Sequence, residues 1–361
     1  AIGRYGSNTI EYQTGDHDGL KLLARRTGFS RRSTRLAGRK PARRHSRQSC
    51  PLPGAGQGRL RALAQDSGRA RLVGAALAMG GACMQGLFRN PLADPSIIGV
   101  TSGASLGAGI AIVFGGAIGV GSTHAALGGL SLLVAGAFVG GVLATALVYS
   151  LATTTNRRGK LVAGMAASGT SVATMLLVGI AITALAGAMN SLLAYVGDNE
   201  ALRRISLWNM GGLDMASKQR VWLGVVIIAP VCLVLVRFAA RLDALLLGES
   251  EARFLGIDVE RMKRQLIALV ALMVATSVAL AGVIAFVGLV VPHMLRITIG
   301  PGHRLLLPCS ALGGGLLLVL ADTVARVALA PAEIPVGVLT ALLGAPLFVS
   351  LLRRKNDYAM V

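Results

Sequence analysis

The sequence predicts an all-α polytopic membrane protein, and three observations predict it. Of its 361 residues, 53% are hydrophobic and only 14% are charged, whereas a soluble domain carries about 25% charged residues. The apolar share is aliphatic: Phe, Tyr and Trp number 8, 5 and 2, while glycine reaches 47. Small residues in that proportion let packed transmembrane helices bring their backbones close. Finally, apolar stretches long enough to cross about 30 Å of hydrocarbon follow one another from Leu72 onward. This composition excludes a disordered chain, a disulfide scaffold and an ordinary cytosolic enzyme.

Taken in order, the predicted spans cover residues 72–88, 97–120, 126–150, 173–196, 221–237, 265–285, 304–330 and 335–352, with a shorter apolar piece, Phe286 to Leu295, between the sixth and seventh. Nine crossings are therefore visible. The Gly/Ala/Ser/Thr-rich segment 160–171 is expected to be loop. Basic residues cluster at Arg157, Arg158 and Lys160, at Arg241, Arg253, Arg261, Lys263 and Arg264, and at Arg353, Arg354 and Lys355. All three clusters fall on one side if the short piece crosses, and the bias of Lys and Arg toward cytoplasmic loops makes that side the cytoplasm.

Residues 1–71 do not fit the pattern. The first 72 residues hold 16 of the 36 Lys and Arg against 4 Asp and Glu, with no long apolar run. A genuine basic extension, an artefact of the sequence, and a reading-frame error that hides a first helix all fit this texture, and the frame error is the favoured reading. Nucleic-acid binding is not indicated, because the arm has almost no aromatics and no amphipathic period. The domain expectation is thus an atypical segment 1–71, a transmembrane domain 72–355 with a cytoplasmic segment at 245–260, and a tail 356–361. Cys50, Cys83, Cys232 and Cys309 are singly spaced and suggest neither a disulfide framework nor a metal site. No Gly-x-x-x-x-Gly-Lys-Ser/Thr loop is present, so no phosphate cradle for ATP is expected on this chain, and no catalytic residues are assigned.

Four stretches are more specific than generic helix: Gly74 to Gly107, containing RNPLADP; Leu247 to Asp258, LGESEARFLGID; Gly282 to Pro308, containing VGLVVPHMLRITIGPGHR; and Ala321 to Arg354, containing ADTVAR and EIPVGVLTALLGAP. In RNPLADP, Asn90 and Asp94 stand where short polar side chains cap orphan amides. Asp322 and Arg326 have the i, i+4 spacing of a helical ion pair. In LGESEARFLGID, the apolar Leu247, Ala252, Phe254 and Leu255 sit in a basic loop, where an exposed apolar group implies a partner surface or the membrane interface.

Over residues 72–355 these stretches, in their order and spacing, resemble the FecCD-type permeases, membrane subunits of ATP-driven importers for ferric siderophores, haem and cobalamin. The resemblance implies about ten transmembrane helices per subunit and a homodimer in the bacterial inner membrane, surrounded by lipid. It also implies two further partners, a cytoplasmic ABC ATPase dimer and a periplasmic binding protein. It gives Leu247, Gly248, Glu249, Ala252, Arg253, Leu255 and Gly256 to coupling with the ATPase, and Arg326, if it is not spent on Asp322 alone, to docking of the binding protein. An Arg-x-Pro-Arg-like docking element is absent from Ala62 to Ala70. The outward segment Gly179 to Leu213 looks like the haem-importing branch. Met175, Met189, Asn190 and Tyr195 are then candidates to line the path, and His293 and His303 are either further path residues or hydrogen-bonded structural histidines. Haem is the expected cargo, with no permanently bound cofactor and no metal, and ATP is used by the partner. A ferric siderophore or cobalamin is the alternative cargo, and an ion-coupled secondary transporter is the rival class.

Overall fold

The computed structural model describes residues 55–117, 132–162, 172–213, 218–328 and 334–357. Every regular element among them is helical: α1 (Ala55–Phe88), a 3₁₀ turn (Pro95–Ile98), α2 (Val100–Ala117), α3 (Leu132–Val162), α4 (Val172–Val196), α5 (Asn199–Asn209), α6 (Lys218–Arg237), α7 (Ala239–Leu247), α8 (Glu249–Phe254), α9 (Val259–Ala281), α10 (Val287–Ile299), α11 (His303–Ala328) and α12 (Val336–Asp357). Six are long and apolar enough to cross a membrane, and shorter apolar helices occupy Val100–Gly115, Val287–Ile299 and Val336–Ser350. These nine match the expected crossings.

Three boundaries differ from expectation. Residues 55–71, placed above in the basic segment, are the opening turns of α1, whose apolar stretch begins at Ser67. The expected loop 160–171 begins as helix, since α3 runs on to Val162; residues 163–171 lie outside the described residues, as do 1–54 and the end of the tail. The expected span 265–285 ends at Ala281, because Gly282 turns the chain out of the helix at φ +70°. A helix also appears in the outward segment: Asp198 accepts a hydrogen bond from the Ala201 amide at 2.7 Å and starts α5, which buries Ala201, Ile205 and Trp208.

Most of the apolar stretches Ser67–Phe88 of α1 and Val259–Ala281 of α9 is buried, whereas those of α3, α4 and α6 are buried only in minor part. The first pair forms the centre and the others surround it. Lipid tails are as apolar as Leu, so close packing rather than the hydrophobic effect must join such helices. Glycine supplies it. Gly103 and Gly107 of α2 face Gly140 and Gly136 of α3, where a Cβ on either member would overlap the other's backbone. Gly74 of α1 meets Gly314 of α11 in the same way, and Gly81 meets the carbonyl of Gly288. A third meeting place joins three elements. The Gly212 amide donates to the Ala281 carbonyl (2.9 Å), the Gly337 amide to the Gly211 carbonyl (3.3 Å), and Gly211, Gly282 and Gly337 each lie against a neighbouring carbonyl with no room for a side chain.

After Gly282 the chain runs without helix to Phe286, which adopts φ +67°. A non-glycine residue in that region pays about 1–2 kcal/mol. The Phe286 ring lies where a Cβ on Gly344 of α12 would be, so packing holds the residue there. As a result α10 starts beside Leu77 and Gly81, midway along the apolar part of α1. A cavity of about 370 Å³ at this break is lined by Asp94, Ser96, Thr101, Ile284, Phe286 and Leu289.

Candidate functional site

The segment from α7 to α9 is shaped by two glycines and one aspartate. Gly248, at φ +136°, separates α7 from α8, and a Cβ there would strike the Glu251 carboxylate. At the other end of α8, the Ile257 amide donates to the Ala252 carbonyl (3.1 Å) and the Gly256 amide to the Arg253 carbonyl (2.9 Å), with Gly256 at φ +80°. This paired closure needs a left-handed residue just after the helix, a conformation natural to glycine. Asp258 then accepts from the Arg261 amide at 3.0 Å and opens α9.

Charge fixes α8 to its neighbours. The Glu249 carboxylate lies 2.8 Å from the Lys263 ammonium, with Glu260 at 3.5 Å from the same nitrogen and Arg253 at 3.9 Å from Glu249. Lys263 is buried in the apolar face of α9, between Val259 and Ile267, so its charge requires such partners. The Ser250 hydroxyl and the residue's own backbone amide hold the Glu251 carboxyl below its ordinary range. The short helix is thereby tied to α9.

Not every residue expected to couple faces outward. Ala252 is 0% exposed and packs into the chain's own core, so its expected place on a partner surface is corrected: it is the base on which α8 rests. Leu247, Phe254 and Leu255 point away from the protein, Phe254 with 90% of its surface exposed. Glu249 and Arg253 pair within the segment, and Gly248 and Gly256 shape its ends. Sequence reading missed Lys263, although a lysine at an apolar-stripe position of α9 was a visible signal.

The expected path residues are not brought together as one surface. Met175 is buried within the chain, while Met189 and Tyr195 are exposed on α4. Asn190 is half-buried: its Nδ2 donates to Ser105 Oγ at 2.9 Å, and Ser105 donates to Asn209 Oδ1 at 2.6 Å. This small polar network links α4, α2 and α5, and sequence reading found only its first member. His293 is half-buried on α10. His303 is fully buried; both its backbone amide and its Nδ1 lie 2.7 Å from Asp243 Oδ1 on α7. That favours the structural reading of His303, because its ring clamps α7 to the start of α11 and faces no open path. Arg326 Nε lies 3.0 Å from Asp322 Oδ2, as the spacing predicted. In RNPLADP, Asp94 accepts from the Ser96 amide (2.8 Å) and caps the 3₁₀ turn as expected, while Asn90 Oδ1 accepts from the Leu92 amide (3.0 Å) and closes a turn with no helix after it. Among the described residues no three His, Cys, Asp or Glu side chains group as metal ligands.

The FecCD transport family matches residues 69–354 of this chain. The chain belongs to that family. A hemin transport system permease protein HmuU of Yersinia pestis is 43% identical over 286 residues, covering 79% of this chain and 80% of that protein. A cobalamin import system permease protein BtuC of Halobacterium salinarum is 42% identical over 288 residues, covering 80% and 71%. Among solved structures, a metal-chelate-type ABC transporter in an inward-facing conformation matches with a TM-score of 0.69 at 34% identity, over 85% of this chain and 91% of that one. This FecCD protein is therefore a multi-pass ABC importer permease, and the homodimer is typical of its family.

Proposed function

We propose that this FecCD protein carries haem, delivered by a periplasmic binding protein, across the bacterial inner membrane by alternating access, as a dimer driven by a separate cytoplasmic ATPase pair. The observation that carries the coupling part is the exposed apolar surface in and beside α8. Leu247 at the end of α7, Phe254 in α8 and Leu255 just after it stand clear of the chain, around a helix locked by Glu249–Lys263 to α9, a central helix. A protein partner seated on that face gains buried apolar area and finds a rigid handle. ATP binding drives transport only if the ATPase seats better on one permease conformation than on the other. Gly248, Glu249, Ala252, Arg253 and Gly256 form the frame of this handle. At the opposite end, Arg326 meets the binding protein, and Met189, Asn190 and Tyr195 line the cargo path.

For cargo, the haem reading is supported by the Gly179–Leu213 resemblance and by the hemin permease relative. Cobalamin is the second reading, favoured by the BtuC relative at 42% identity. The test is ATP hydrolysis by the permease and its ATPase in proteoliposomes, stimulated in turn by binding protein loaded with haem, cobalamin or a ferric siderophore. Haem-loaded protein is expected to stimulate most. Equal or greater stimulation by either of the others overturns the haem assignment.

A further inference from the structure

A groove of about 530 Å³ lies between the end of α6, the start of α7 and the second and third turns of α9. Its walls are apolar, formed by Val234, Phe238 and Leu269, and its rim carries Arg237, Arg241 and Gln265. The Arg241 guanidinium stands 5.2 Å above the Phe238 ring, the geometry of a cation held over an aromatic face. Among the described residues neither Arg237 nor Arg241 forms an ion pair, and the acids closest in sequence are committed elsewhere: Asp243 to His303, Glu249 and Glu260 to Lys263. Arg237 ends a 20-residue helix, about 30 Å long at 1.5 Å per residue, so it stands at the edge of the hydrocarbon layer.

Two exposed cations over an apolar trough do not suit a soluble anion, which has no use for the trough, nor a neutral lipid, which has no use for the cations. We propose that the groove is a binding site for one anionic phospholipid. Its phosphate sits on Arg237 and Arg241, with the Gln265 amide as a further donor, and an acyl chain lies along Val234, Phe238 and Leu269. Basic pockets between transmembrane helices recognise anionic headgroups on this principle. The site is separate from the α8 face and from the cargo path, and it holds whichever cargo is carried.

The test is native mass spectrometry of the detergent-purified permease with equimolar phosphatidylglycerol and phosphatidylcholine. With about 1 kcal/mol per arginine near an anionic lipid, each contributes about fivefold, so the wild type should retain phosphatidylglycerol over phosphatidylcholine by about thirtyfold. The Arg237→Gln/Arg241→Gln double variant should bring the ratio close to one, while Arg203→Gln, on α5, should leave it unchanged. Gln265→Glu keeps both arginines and should lower the ratio at least fivefold, giving an independent reading if the double variant does not fold. Equal retention of both lipids by the wild type, as when another segment of the chain fills the groove, overturns the proposal. So does an unchanged ratio in the rim variants. Displacement of phosphatidylglycerol by excess glycerol phosphate would also overturn it, since the occupant would then be a soluble phosphate.

Discussion

Replacing Phe254 by Ala separates docking from folding. Phe254 is 90% exposed in the permease, so its removal should change the permease's own stability by no more than about 0.5 kcal/mol, the usual range for a surface substitution. If the ATPase covers the ring, the substitution forfeits the burial of a whole phenyl side chain, about 1.5–3 kcal/mol. At about 1.4 kcal/mol per tenfold, ATPase affinity should fall by roughly 10- to 100-fold. Two measurements on the permease in nanodiscs settle it: the thermal unfolding midpoint, expected unchanged, and the dissociation constant for the isolated ATPase, expected to rise. Leu255→Ala should act in the same direction, since that side chain shares the exposed face. Wild-type ATPase affinity in Phe254→Ala would refute the assignment of this face as the coupling surface. A large loss of unfolding midpoint would refute the view that the ring stands free.

Ala252→Glu places a carboxylate where the structure leaves 0% exposure. A buried unpaired charge costs several kcal/mol, so α8 should come away from the core, read as a lower unfolding midpoint and faster protease cleavage at Arg253. Glu249→Ala removes the nearer of two carboxylates at Lys263, at 2.8 Å, and keeps Glu260 at 3.5 Å. Glu249 is about a third exposed, which should reduce the cost from the 3–5 kcal/mol of a fully buried broken pair to about 1–3 kcal/mol; ATPase stimulation should weaken, and Glu249→Gln should retain more of it than Glu249→Ala. Gly314→Leu forces a side chain into the backbone of Gly74, and the yield of folded, inserted protein should collapse, measured by size-exclusion chromatography in detergent.

The spans were legible because hydropathy and length suffice to find them: α4, α6 and α11 fall close to their expected limits. The interruptions were harder. Gly282 sits in an unbroken apolar run, and nothing in hydropathy marks it as the point where backbone geometry ends α9; its left-handed φ is the cause. The cap at Asp94 followed from local chemistry and stands as local rules require, while Asn90 closes a turn on the Leu92 amide. Which way α8 faces could not be read from composition, because Ala252 and Leu255 are both apolar and only the partner helix decides which is buried. Asp243 explains His303, but the two are 60 residues apart and no local pattern joins them. The same holds for Ser105 and Asn209, which become partners only when α2, α4 and α5 converge.

The glycine junction of Gly211, Gly282 and Gly337 has a mechanical consequence. Side chains act as cushions: they rotate and absorb small displacements between helices. Here the ends of α5 and α9 and the start of α12 meet carbonyl against α-carbon, with nothing compressible between them. A tilt applied to α9, to which α8 is bolted through Lys263, therefore finds no side-chain cushion at this end between α9 and its neighbours α5 and α12. The junction is a rigid joint that makes the ends of α5, α9 and α12 move together.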